Sequence, residues 1–324
     1  MRRYKIEIEG GDTYDSAPNG TPDPNALQVD MDIQAGVTID TPQAGSTVRI
    51  WGVGIQKLAQ SQDLYNKTIT ISGGMARGLP LAKPQQFGKL ARGTITQAFG
   101  EWEGVNQHLD LIFAPNANST TADGGPNPKQ TPVNLVLNAK KGANLADAVK
   151  QALTTAFPQA KVALNVAKEL KVLQDQIGYH ANLQQFAYYI RRLSQDIGGK
   201  GYQGISIVNF DSDFNVADGP QQSNGQIAFE DLIGQPTWIS VGRIQFKTVM
   251  RADIKIMDNV TLPKTWINVS GNYFTGPGSN PNQQLGFQGN FQVASMRHVG
   301  FSRQASGDAW VTVFEATTQA GAAK

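Results

Sequence analysis

Thr47-Val48-Arg49-Ile50-Trp51-Gly52-Val53-Gly54-Ile55 decides the fold class. Its apolar and polar residues alternate with a period of two, the pattern of a strand with one buried face. The same pattern recurs on both sides: in Tyr4-Lys5-Ile6-Glu7-Ile8, in Thr68-Ile69-Thr70-Ile71, in Gly93-Thr94-Ile95-Thr96 and in His108-Leu109-Asp110-Leu111-Ile112-Phe113. Gly73-Gly74, Gly78 with Pro80, and Gly100 fall between these runs and read as turns or bulges. Alternating strands broken by glycine predict a barrel or sandwich over residues 1–115, because a closed or stacked sheet hides its edges.

The pattern changes twice downstream. Residues 116–132 are rich in Asn, Thr, Gly and Pro and read as a linker or exposed loop. From Asn144, the residues Leu145, Ala148, Val149, Ala152 and Leu153 recur at helical spacing, with Asn144 as N-cap and Pro158 marking the end. A second helix is predicted from Asn182, carrying Leu183, Phe186, Ala187, Ile190 and Leu193 on one face and stopped by Gly198-Gly199. Strand candidates at 133–137, 162–166 and 205–208 complete a small α/β domain over 133–215. Residues 216–324 return to β, with strands expected at 254–262, 265–269, 287–299 and 310–314 and a hairpin loop at 277–281. The fold class is therefore α+β, mainly β, with two β domains around the α/β domain.

The composition excludes several classes of function. The chain has no cysteine, so disulfides, thiolate metal sites and cysteine nucleophiles are out. Lys plus Arg is 28 against 26 for Asp plus Glu, a net charge of +2, without the concentrated basic face of a sequence-specific nucleic-acid binder. The N-terminus alternates instead of forming an apolar stretch, and no run reaches the length of a membrane helix. These features predict a protein made in the cytoplasm without a membrane anchor.

No catalytic, cofactor or metal site is expected from the motifs. Gly199-Lys200-Gly201-Tyr202-Gln203-Gly204 matches G-x-G-x-x-G, but it follows a helix and leads into a strand, the reverse of a dinucleotide site. A helix C-cap and connector is the reading that fits. His108, His180 and His298 are scattered, so a metal site would have to be assembled from residues distant in sequence. Glu101 and Glu103 flank Trp102 on one strand face, and Asp211 and Asp213 lie in a turn-like segment. Neither pair sits in the pocket-like context that glycoside hydrolysis requires.

Several stretches resemble a specific family. Ser72-Gly73-Gly74-Met75-Ala76-Arg77-Gly78-Leu79-Pro80-Leu81, then Gly88 and Gly93-Thr94-Ile95, is similar to the first barrel of tailed-phage baseplate hub proteins. Ile233-Gly234-Gln235-Pro236-Thr237, Asp253 to Asp258 and Val260-Thr261-Leu262-Pro263 are similar to the second barrel. Phe291-Gln292-Val293 through His298-Val299-Gly300 to Trp310-Val311-Thr312 resembles the family's last hairpin. Met257-Asp258-Asn259 stands where the family has Gly-Asp, a departure that implies a different turn.

The resemblance implies two tube-protein-like β-barrel domains and a homotrimeric ring in the virion tail. Such a ring joins a hexameric tail tube or distal tail protein to a trimeric central spike, contacts other baseplate proteins, and surrounds the DNA channel. Met75, Leu79, Pro80 and Leu81 become candidate interface residues, with an ordinary core loop as the alternative for the same stretch. A phage-associated cell-wall hydrolase and a carbohydrate-binding tail protein are the competing functions.

Overall fold

The computed structural model describes residues 2–35, 46–75, 86–114, 134–158, 160–210, 213–219, 221–240, 242–263 and 289–318. The first lobe comprises β1 (Arg2–Ile8), β2 (Thr13–Asp15), β3 (Val29–Gln34), β4 (Ser46–Trp51), the short α1 (Ile55–Ala59), β5 (Thr68–Met75), β6 (Gly88–Glu103) and β7 (Asn106–Ala114). The insert follows with β8 (Leu135–Ala139), α2 (Leu145–Ala156), β9 (Val162–Asn165), β10 (Gln176–His180), α3 (Leu183–Gly198), β11 (Ser206–Phe210) and β12 (Asp213–Ala217). The last lobe contains β13 (Gln221–Gln226), β14 (Thr237–Ser240), β15 (Arg243–Val249), β16 (Asp258–Leu262), β17 (Gly289–Phe301) and β18 (Trp310–Thr318). The chain is α+β and mainly β.

The two β lobes share one sheet. Thirteen strands are hydrogen-bonded in the path β14-β15-β18-β17-β3-β4-β7-β6-β5-β1-β2, with β16 on β17 and β13 on β16. The join is the antiparallel ladder between β17 and β3, which pairs Arg297 with Gln34, Val299 with Asp32 and Phe301 with Asp30. The sheet also curls back on itself. Trp310 at the start of β18 donates its indole N–H to the carbonyl of Gly74 at the end of β5 (3.0 Å). Met250 and Trp310 lie in the same apolar cluster as Ile6, Ile50, Ile69 and Phe113 of the first lobe. The core of the first lobe is thus completed by residues of the last.

The helices form as the spacing predicts. Asn144 Oδ1 accepts from the amide of Ala146 (3.0 Å), and Asn182 Oδ1 accepts from Gln185 (2.9 Å), each satisfying an orphan donor of a first turn. The insert buries its own apolar cluster, built from Leu137, Val149, Leu153, Phe186, Ile190 and Phe214 among others. Gly199, with φ of 80°, caps α3, and Gly201 and Gly204 also have positive φ in the connector to β11. A Cβ at Gly204 would stand 2.7 Å from the carbonyl oxygen of Arg191. The G-x-G-x-x-G match is spent on a helix exit, as its context required.

Other local expectations are corrected. The strand expected from Ile254 begins only at Asp258, because Met257 takes a φ of 75° and turns the chain just before it. The run from Thr47 leaves its strand at Trp51, and Ile55 opens α1. Gly73, Gly74 and Gly100 sit within β5 and β6 instead of in turns or bulges, the register shifts of these ladders falling at Ile71/Ser72 and Ile95/Gln97, and Gly78 and Pro80 lie outside the described residues. At Gly100 a Cβ would lie 2.4 Å from the carbonyl oxygen of Leu58, so glycine there admits the close approach of α1. The 265–269 strand and the 277–281 hairpin loop lie outside the described residues.

A buried polar network sits where the lobes meet. Arg251 and Asp231 are 1% and 0% exposed and are joined at 2.9 Å (Nη1 to Oδ2). Arg251 also reaches both oxygens of Asp253 at 2.7 Å, and Gln86 Nε2 donates to Asp231 Oδ2 at 3.0 Å. The amide of Arg251 donates to Thr312 Oγ1 (3.1 Å), which in turn lies 2.9 Å from Nδ1 of the buried His298. Gln86 comes from the segment leading into β6, so the network ties the first lobe to the last.

Burial pushes His298 down from its ordinary value of 6.5 to about 3. Below pH 6.5 the unfolded chain takes up a proton that the folded chain refuses. The contribution of this site is therefore complete above that pH and is lost progressively as pH falls towards about 3. The expected result is that stability drops on acidification by up to about 1.4 kcal/mol per pH unit from this residue. Urea unfolding at several pH values, repeated with His298→Gln, checks it. An unchanged slope in the variant would remove His298 as the cause.

Candidate functional site

The join between the lobes creates one long face. Following the registers outward from β4 places Arg49 beside Asp30 and Asp110, then Phe301, Val299 and Arg297 beside β3, then Val313 beside Arg297 and Lys247 beside Val313. In the other direction, His108 lies opposite Trp51 and Glu101 opposite His108. Side chains directly opposite in a ladder share a face. One surface therefore crosses seven strands, β15-β18-β17-β3-β4-β7-β6, on the side away from the apolar clusters.

Three arginines on this face are paired with carboxylates across strands. Arg49 binds Asp110 through two parallel bonds of 2.7 and 2.6 Å. Arg297 grips Asp32 in the same two-pronged way, and Arg243 Nη2 lies 2.5 Å from Glu315 Oε2. His108 Nε2 lies 3.0 Å from Glu101 Oε2 and 3.8 Å from Asp110 Oδ2. Trp51 donates its indole N–H to Asp30 (2.7 Å) and stacks at a tilt on His108, ring centres 4.9 Å apart. The hydrogen bonds to Asp110 and Asp32 hold the Arg49 and Arg297 guanidinium groups above their ordinary value.

The residues singled out from the sequence distribute differently. Met75 packs into the cluster of the first lobe and is 6% exposed in the single chain. Leu79, Pro80 and Leu81 lie outside the described residues. Glu101 belongs to the charged face, whereas His180 ends β10 opposite Leu135. Asp213 accepts from the amide of Lys161 (3.0 Å), tying β12 to the start of β9. Trp310 fills the core, whereas Trp102, between Glu101 and Glu103, is 63% exposed on the β6–β7 arm.

Sequence reasoning missed the grouping of Glu101, His108 and Asp110, although a signal was present. Gly104 (φ 59°) and Val105 form a two-residue loop, with Glu103 opposite Asn106. A glycine-containing loop of that length fixes a hairpin register, and counting back from it puts Glu101 against His108.

No protein-family signature matches the chain, and no curated protein is detectably similar in sequence. Solved structures are similar in fold. The Escherichia coli c3393 protein, a type VI secretion component described as structurally similar to the T4 phage tail proteins gp27 and gp5, superposes with a TM-score of 0.53 at 9% identity, over 98% of this chain and 77% of its own. A tail protein from Neisseria meningitidis gives 0.51 at 9% identity, over 98% and 97%. The 43 kDa tail protein of prophage MuSo2 from Shewanella oneidensis gives 0.54 at 7% identity, again over 98% and 97%. The chain therefore shares its fold with these phage tail and secretion-system proteins.

Proposed function

We propose that this chain is a structural component of a phage tail baseplate, a homotrimeric hub ring that joins a hexameric tail tube to a trimeric central spike and surrounds the DNA channel. The observation that carries the reading is the continuous seven-stranded face. Two β lobes fused edge to edge offer each subunit as a curved wall segment two lobes wide, so three copies present six lobes. That number matches a sixfold partner on one side while the ring remains threefold towards the other.

The chemistry of the face suits a channel wall. A polyanion is captured by free Lys and Arg side chains and repelled by free carboxylates. Here Arg49, Arg297 and Arg243 each face a carboxylate across a strand pair. A wall whose arginines are occupied in this way has little hold on DNA, as passage through it demands. At the ends of the hydrogen-bonded path, β14 and β2 each have a single strand neighbour among the described residues. Exposed strand edges favour burial against a neighbouring subunit. The fold likeness to phage tail proteins adds to the same reading.

The test is the solution mass of the purified chain by light scattering over a range of concentrations, followed by electron microscopy. Three copies of 34.9 kDa give about 105 kDa, and the particles should be rings with an open centre. A monomer at every concentration, also in the presence of its spike protein, would end the proposal.

A further inference from the structure

We propose that Glu101, His108 and Asp110 form a binding site for one divalent first-row transition ion of the Zn2+ type, with solvent completing the coordination. The inference stands apart from the tail reading and does not rest on it.

The donors converge. One nitrogen and two carboxylate oxygens all lie within 4.8 Å of one another. His108 Nε2 is 3.0 Å from Glu101 Oε2 and 3.8 Å from Asp110 Oδ2. Ligand atoms bound at about 2.0–2.2 Å in a tetrahedron stand roughly 3.3–3.6 Å apart, a range these two distances bracket. Glu101 is 59% exposed on the β6–β7 arm and free to close the third edge.

The second observation is His108 itself. Its side chain is only 8% exposed, yet neither ring nitrogen has a hydrogen-bond partner. Nε2 is at ion-pair distance from Glu101 but is not aligned for an N–H···O bond. A buried imidazole nitrogen without a hydrogen bond is costly, and a metal ion between it and the two carboxylates would satisfy it.

Charge points the same way. Glu101, Asp110 and the adjacent Asp30 outnumber Arg49 in the cluster, so a divalent cation brings the local charge towards zero. Asp110 Oδ2 accepts from Arg49 (2.6 Å) and keeps a second lone pair for a metal, while the arginine fixes its orientation. A mixed imidazole and carboxylate set selects zinc-like ions over Mg2+ and Ca2+, which prefer oxygen alone.

The experiment is calorimetric titration of the full-length, metal-free chain with Zn2+, alongside visible absorption with Co2+. One equivalent per chain is expected, with Co2+ giving the intense bands of a four-coordinate site. Glu101→Gln, at an exposed position that leaves folding intact, should weaken binding by about tenfold or more, and His108→Ala should abolish it. Should His108→Ala fail to fold, Glu101→Gln decides alone. Absence of Zn2+ binding, equal affinity in Glu101→Gln, or displacement by equimolar Mg2+ would overturn the proposal.

Discussion

Changing Arg251 to alanine is expected to destabilise the chain by about 3–5 kcal/mol, moving the urea midpoint down with an unchanged slope. The guanidinium is 1% exposed and faces Asp231, which is 0% exposed. Removing the cation takes from the buried Asp231 carboxylate the guanidinium that faces it, while the Gln86 amide, 3.0 Å away, stays in place. The penalty comes from keeping a carboxylate buried without its facing cation and much less from the lost attraction. A second variant separates the two. Arg251→Met combined with Asp231→Leu removes both charges and keeps the volume, and should recover most of the loss. Asp253 is 24% exposed and can turn to water in that background. A single variant costing under about 1 kcal/mol would show that the junction relaxes enough to hydrate Asp231. It would then be no fixed tie between the lobes.

That network also marks the limit of what could be read from the sequence. Local structure was legible wherever its cause is local. Asn144 and Asn182 cap helices because their side chains reach amides two and three residues on. Gly199 ends a helix because it tolerates a φ of 80°. The alternation from Val48 to Ile50 and from Leu109 to Phe113 reports a buried face directly. The join of β3 to β17 was not legible, because partners such as Asp32 and Arg297 are 265 residues apart and nothing in either strand names the other. The charged face inherits that blindness, since its residues read singly as ordinary polar positions of amphipathic strands. The hairpin bringing Glu101 to His108 is intermediate: its register follows from Gly104-Val105, but only once β6 is seen to run unbroken through Gly100.

The second large effect is expected at Trp310, and it tests whether the lobes are energetically one body. Trp310 is 2% exposed, lies in the cluster of the first lobe and bonds Gly74 across the junction. Trp310→Ala should cost about 3–5 kcal/mol through lost burial and the cavity it leaves. Trp310→Phe keeps most of the apolar contact, loses the indole bond, and should cost about 1 kcal/mol. The informative quantity is where the loss is felt. Trp310 starts β18, but its side chain completes a core built from β1, β4, β5 and β7. Hydrogen exchange read by mass spectrometry should therefore show protection falling together in Thr68–Met75 of β5 and Trp310–Thr318 of β18. Loss confined to β18 would mean that the shared sheet joins two independently stable lobes. Equal loss in both makes the chain one cooperative unit, in which neither lobe unfolds without the other.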